Sequence, residues 1–333
     1  MSKFLLIGQG IAGTMLARAL RNKGAEAHIA DTDLPGASSR AAAGIINPVT
    51  GKRFVKSWRF DEFYPAARAA YHRLEEELQT PLWEERPILR LLGTAEETND
   101  WSLRCARPDY LDFLSETNNA GAWAPLLQPG FHFGLIRQAA RVNLPLLIGR
   151  YREKAQREGW LYTAPLPPLT DSAQLLEQYD RIVFCDGWRG QDNPFFPNLP
   201  FRVAKGEALL LRFPGIPEHE LPTDMLKKTV LLAPLGDGTF WAGSTYRWHF
   251  SDTRPGDEGR EFLLGYLREM LAAPFEITGH VAGIRPTTMD RRPLLEQSLL
   301  EPRMFMFNGL GTKGTLLAPL LAEEMAERLV HLP

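Results

Sequence analysis

The first thirty residues change hydrophobic rhythm twice. Phe4-Leu5-Leu6-Ile7 is a wholly apolar run, Thr14 to Arg21 carries helical spacing, and Ala27-His28-Ile29-Ala30 is mostly apolar again. Such a pattern predicts a buried strand, a helix and a second strand. Gly8-Gln9-Gly10-Ile11-Ala12-Gly13 joins the first strand to the helix as a G-x-G-x-x-G. A strand that leaves a tight glycine turn as a helix aims free N–H groups at whatever lies in front of the turn, which suits a pyrophosphate. Gly8 permits the turn, Gly10 lets the backbone approach the phosphates, and Gly13 lets helix and strand pack closely. The second strand ends on Asp31, near the offset of about 20 residues at which an acid meets the ribose 2′-OH. A carboxylate there repels a 2′-phosphate, favouring FAD or NAD over NADP. Asp31 also suits a plain strand-end turn.

Further along, Leu34 to Ser39 reads as a loop and Arg40 to Pro48 as a small-residue segment. Asp61 to Gln79 is one amphipathic helix, with Phe63, Ala67, Ala70, Tyr71, Leu74 and Leu78 at three- and four-residue steps, ended by Thr80-Pro81. Pro87 to Gly93 is strand-like, and Thr94 caps a short helix to Cys105 with Glu97 at the capping-box spacing. Arg141 opens a helix to about Gly159, and Arg181 to Phe184 is an apolar strand running into Cys185-Asp186-Gly187-Trp188. From Phe201 the rhythm turns to strands: Phe201 to Arg212, Thr229 to Pro234, and Thr239 to Thr245 after a Gly236-Asp237-Gly238 turn.

At 333 residues and 44% hydrophobic, the chain has enough apolar content for two domains. A net charge of −2 gives no general attraction to phosphate backbones, and no basic run marks a nucleic acid partner. Two cysteines, Cys105 and Cys185, point to a reducing compartment. No apolar run reaches the ~20 residues of a membrane span. These features lead to the expectation of a cytoplasmic protein.

The first strand–helix unit, Asp31 and a Ser-x-x-Ala-Ala-Gly-type segment ending at Pro48 together resemble the D-amino-acid oxidase / glycine oxidase family of FAD-dependent amine oxidoreductases. Two C-terminal stretches extend the resemblance: "GHVAGIRPTTMDRRPLL" (279–295) and "FMFNGLGTKGTLLAP" (305–319). It implies a fold of α/β plus α+β type: a Rossmann-like FAD-binding domain from residues 1–80, 130–195 and 283–333, and an antiparallel-sheet substrate domain from 81–129 and 196–282. FAD would be touched by Gly8, Gly10, Ile11, Ala12, Gly13, Asp31, Ser38, Ser39, Arg40, Ala42, Ala43, Gly44 and Gly187, and by Gly309, Gly311, Thr312, Lys313, Gly314 and Thr315. Cys185 and Asp186 depart from the usual alanine-x-glycine of that strand end.

The resemblance places Arg285 where the family pairs an arginine with the substrate carboxylate. Tyr246, in an aromatic cluster, is expected to wall the amine pocket. Lys313 is expected to add to the positive end of the last helix and stabilise charge on the reduced flavin. The implied reaction is oxidation of a C–N bond in a small amino acid or N-substituted glycine, with hydride passing to flavin N5, hydrolysis of the imine, and reoxidation by oxygen or another acceptor. Leu310 and Thr312 replace a histidine and an arginine of glycine oxidases. Gly-Leu-Gly-x-basic-Gly is instead similar to the flavin half of a bifunctional enzyme acting on carboxymethylaminomethyl-uridine in tRNA, which keeps a modified nucleoside open as substrate. A non-catalytic FAD-binding sensor is the reading from outside the enzymes.

Overall fold

The computed structural model describes residues 2–51, 53–164 and 172–332. A six-stranded sheet runs in the order Leu161–Tyr162, Glu26–Ala30, Lys3–Ile7, Arg181–Phe184, Met304–Asn308, Leu294–Gln297. Its first five strands are parallel and the last pairs antiparallel. Phe4, Leu6, Ile182, Val183 and Phe184 have no exposed surface, as expected of strands covered on both faces. The helix Ile11–Asn22 begins inside the glycine motif and packs against the last helix, Gly314–Val330.

An eight-stranded sheet carries the order Glu276–Arg285, Ala204–Arg212, Phe240–Gly243, Leu231–Pro234, Met225–Lys227, Ile88–Leu92, His132–Ile136, Leu114–Thr117. It is antiparallel except where Met225–Lys227 runs parallel to Ile88–Leu92. Strand alternation divides its side chains. Leu89, Leu91, Leu209, Leu211, Leu226, Leu232 and Ala242 form a core with Leu263, Leu267 and Met270 of the helix Asp257–Met270. Alternate positions, among them Arg90, Gly206, Ala208, Lys227, Leu231 and Gly243, line a cavity on the opposite face.

Most expected elements appear within a few residues of their predicted bounds. The long helix runs Phe60–Leu78, and Thr94 accepts the Glu97 N–H at its helix start. The start of the helix expected at Arg141 is corrected. Ala140–Val142 is a strand between Ile45–Ile46 and Trp83–Glu85, and the helix begins at Leu144. Buried Arg141 reaches Glu84 at 3.2 Å across that pairing, a partner 57 residues away that local spacing cannot reveal.

Candidate active site

One cavity of about 410 Å³ runs between the two sheets. The N-termini of the first and last helices meet at one side of it: a Cβ on Gly314 would lie 3.1 Å from Ile11 Cγ2. Two helix N-termini, each with a partial positive charge, therefore border one space. The Ile11 N–H donates to Ser39 Oγ at 3.0 Å, and Gly10, Ile11, Ala12, Ser38, Ser39, Ala42, Ala43 and Gly44 line the wall.

Gly8 and Gly13 lie behind that wall. Gly8 has φ +105°, and a Cβ there would sit 2.5 Å from the Cys185 carbonyl oxygen; a Cβ on Gly13 would sit 1.9 Å from the Gly8 carbonyl oxygen. Their bareness allows the strand, turn and helix to close on one another.

Asp31 is also outside the lining. Its carboxylate accepts from the N–H groups of Gln9 and Asp33, at 2.5 and 2.7 Å, and pairs with Arg152 at 3.2 Å. Arg152 also donates to Gln9 Oε1, so Asp31 and Arg152 brace the glycine loop from behind. Arg40 turns away to an exposed ion pair with Asp33.

At the other side, Gly311 to Thr315 line the cavity, and Gly309 sits just behind with φ +71°. Lys313 Nζ donates to Ser57 Oγ at 3.2 Å, and burial and the nearby Arg291 charge lower its pKa. Gly187 lines the cavity, and Asn308 Nδ2 donates both to its carbonyl and to Asp186 Oδ1, each at 2.9 Å. Burial raises the Asp186 carboxyl to about 7.

On the eight-stranded sheet, Arg285 donates to Ser244 Oγ at 2.6 Å and to the Thr245 carbonyl at 3.1 Å. Its guanidinium lies against bare Gly206, where a Cβ would come within 2.0 Å of Nη2. Burial lowers its pKa to about 10, which leaves it charged at neutral pH. Among the described residues no carboxylate lies within ion-pair distance. A guanidinium has five N–H donors, so this one keeps capacity for an incoming carboxylate. Tyr246 does not line the cavity. It stands half-exposed beneath Arg285, with the guanidinium 5.2 Å from its ring, and touches Trp248 edge-on.

Gly206, Ser244, Lys227 and Arg90 also line this space and were not singled out by sequence reasoning. The available signal was strand alternation: Lys227 and Arg90 share a face with apolar Met225 and Ile88. The residues fit a flavin dinucleotide. Bare glycines, a serine hydroxyl and two helix N-termini suit a pyrophosphate and a flat ring with a partly anionic edge.

A family model described as FAD dependent oxidoreductase, DAO, matches residues 3–328. The chain is 26% identical to a tRNA 5-methylaminomethyl-2-thiouridine biosynthesis bifunctional protein of Caulobacter vibrioides, covering 98% of this chain and 54% of that one. It thus spans about half the length of the first curated relatives it matches. It is 24% identical to a glycine oxidase of Bacillus licheniformis, over 99% of this chain and 93% of that one. The fold is similar to an iminodiacetate oxidase from Chelativorans sp. BNC1, with TM-score 0.78, 21% identity and coverage of 99% and 96%. It is also similar to a glycine oxidase from Geobacillus kaustophilus, with TM-score 0.79, 21% identity and coverage of 98% and 94%. No helix among the described residues is long and apolar enough to cross a membrane.

Proposed function

The chain belongs to the DAO family of FAD dependent oxidoreductases, and from that premise we propose that it oxidises the C–N bond of a small amino acid or N-substituted glycine. The observation that carries this reading is Arg285: a half-buried guanidinium without a carboxylate partner among the described residues, opening on the same cavity as both helix N-termini. FAD, when bound, supplies the two-electron acceptor for the carbon beside nitrogen. Gly10 to Ala12, Ser38, Ser39 and Ala42 to Gly44 would hold the dinucleotide, and Gly311 to Thr315 the ring end. Arg285 would fix the substrate carboxylate by two parallel N–H···O bonds, which sets orientation as well as charge. Leu231, Leu310 and Trp241 give that end of the cavity apolar walls, so catalysis would rest on positioning and exclusion of water rather than on an acid–base pair. In this reading 1–80, 130–195 and 283–333 hold the cofactor and 81–129 and 196–282 the substrate, with two exceptions: the strand His132–Ile136 joins the eight-stranded sheet, and Arg285 at the end of Glu276–Arg285 faces the substrate; oxygen or another acceptor completes the cycle.

The test is the rate at which glycine, sarcosine and D-amino acids reduce the holoprotein's flavin in the wild type, Arg285→Lys and Arg285→Ala. Both variants should lose most of kcat/KM, alanine more than lysine; unchanged kinetics would remove the anchor.

A second reading has the amine carried on RNA. Arg202, Arg291 and Arg292 have no carboxylate partner among the described residues. Arg292 lies over the half-exposed Trp58 ring at 4.2 Å and Arg202 over exposed Trp248 at 4.5 Å. Guanidinium and indole faces together suit phosphates and unstacked bases. Salt-dependent RNA binding that is weakened by Arg202→Ala and Arg292→Ala would favour this reading.

A further inference from the structure

The cavity has a second charged end that the proposed reaction does not use. Across the eight-stranded sheet, Arg90 stands opposite Lys227, Lys227 opposite Leu231, Leu231 opposite Gly243, and Gly243 opposite Ala208. All five line the cavity. The guanidinium of Arg285, bound to Ser244 Oγ, marks one end of this row. Lys227 and Arg90 mark the other, two and three strands from Gly243. At 4.7–4.9 Å per strand, the Lys227 backbone is about 10 Å from that of Gly243. Between them the floor is Leu231, Gly243, Ala208 and bare Gly206; Glu207, next to the last two in sequence, also lines the cavity.

The charges at this far end do not balance. Arg90 reaches Glu97 at 3.4 Å through Nη2 and donates to the Lys228 carbonyl through Nη1. Its Nε is buried without a hydrogen-bond partner among the described residues. Lys227 Nζ donates to the Thr229 carbonyl at 2.8 Å and has no carboxylate within ion-pair distance among the described residues. The neighbouring Lys228 is paired with Glu269. The one carboxylate among the cavity residues, Glu207, is already engaged by Lys205, His280 and the Gly256 N–H. Of these two cations in register, only Arg90 has a carboxylate partner, Glu97 at 3.4 Å, and among the described residues one of its N–H donors is unsatisfied. Such an arrangement is costly unless an anion completes it. An amine or an alkyl group does not satisfy those donors; a carboxylate does.

We infer that the cavity takes amines bearing two carboxylates, one held by Arg285 and the second by Lys227 and Arg90 across the small-residue floor. The inference rests on the reading of Arg285 as the first carboxylate's anchor. It narrows the substrate class to amino acids or N-substituted glycines with an acidic arm.

The test uses glutarate and butyrate, amine-free chains that differ by one carboxylate. Binding to the holoprotein is followed by calorimetry and by perturbation of the visible flavin bands. Glutarate should bind about tenfold or more tightly than butyrate, as expected for one added charge-assisted pair. Lys227→Gln should reduce glutarate to the butyrate level, and Lys227→Arg, which keeps the charge, should preserve the preference. Arg90→Lys, which cannot reproduce the fork, should reduce it. Equal affinities in the wild type, binding of neither ligand, or a preference that survives Lys227→Gln would overturn the second site. Butyrate affinity unchanged in Arg285→Gln would instead overturn the first anchor, whatever Lys227 shows.

Discussion

Gly206→Ala separates folding from function at one methyl group. Gly206 lies mid-strand opposite Gly283, with no left-handed φ, so alanine meets no backbone strain. Its Cβ would fall 2.0, 2.2 and 2.4 Å from Nη2, Cζ and Nη1 of Arg285. Those atoms end a flexible side chain, and the guanidinium must leave Ser244 and Thr245 to make room. A carboxylate held by two charge-assisted hydrogen bonds gains about 1.5–3 kcal/mol from each. Displacing the guanidinium removes about 3–6 kcal/mol, or about 10²- to 10⁴-fold in kcat/KM. The fold loses at most the two hydrogen bonds of Arg285, so Tm should move by no more than about 5 °C. The assay is anaerobic flavin reduction as a function of substrate concentration, with thermal unfolding alongside. Wild-type reduction kinetics in a folded Gly206→Ala protein would refute the placement of Arg285 as anchor.

Other outcomes follow from the same geometry. Asp186 is raised from 3.8 to about 7 by burial, so between those values the folded state binds a proton that the unfolded state has lost. Stability should therefore fall as pH rises from about 4 to 7 and level off above, by up to about 4 kcal/mol. Asp186→Asn should abolish that slope in denaturant titrations across the range. Gly13→Ala puts a Cβ 1.9 Å from the Gly8 carbonyl oxygen; because backbone and not a side-chain end must move, purified protein should be destabilised by about 2 kcal/mol or more and lose flavin colour.

The glycine turn, the strand–helix–strand unit and Gly311 to Thr315 were legible because their geometry is set by neighbours in sequence. A tight turn needs its glycines in place whatever the rest of the chain does. Asp31 was legible as a residue, but its engagement by Arg152, 121 residues away, was not. Arg40 was named as a cofactor contact from the family resemblance, and its exposed ion pair with Asp33 could not be read from spacing. Tyr246 was found beside Arg285 yet outside the cavity, since strand spacing says nothing about how the chain turns after Gly243. Arg90, Lys227 and Gly206 gain their meaning from sheet register between segments up to 137 residues apart. Alternation marked the face they occupy but not their partners.

The most direct measurement is anaerobic mixing of the purified, FAD-loaded protein with glycine, sarcosine, D-amino acids and iminodiacetate while the visible flavin bands are recorded. Bleaching by at least one of these carboxylate-bearing amines, lost in Arg285→Ala, is the expected result. A protein that cannot be loaded with FAD, or a bound flavin that none of them bleaches, would contradict amine oxidation at this site.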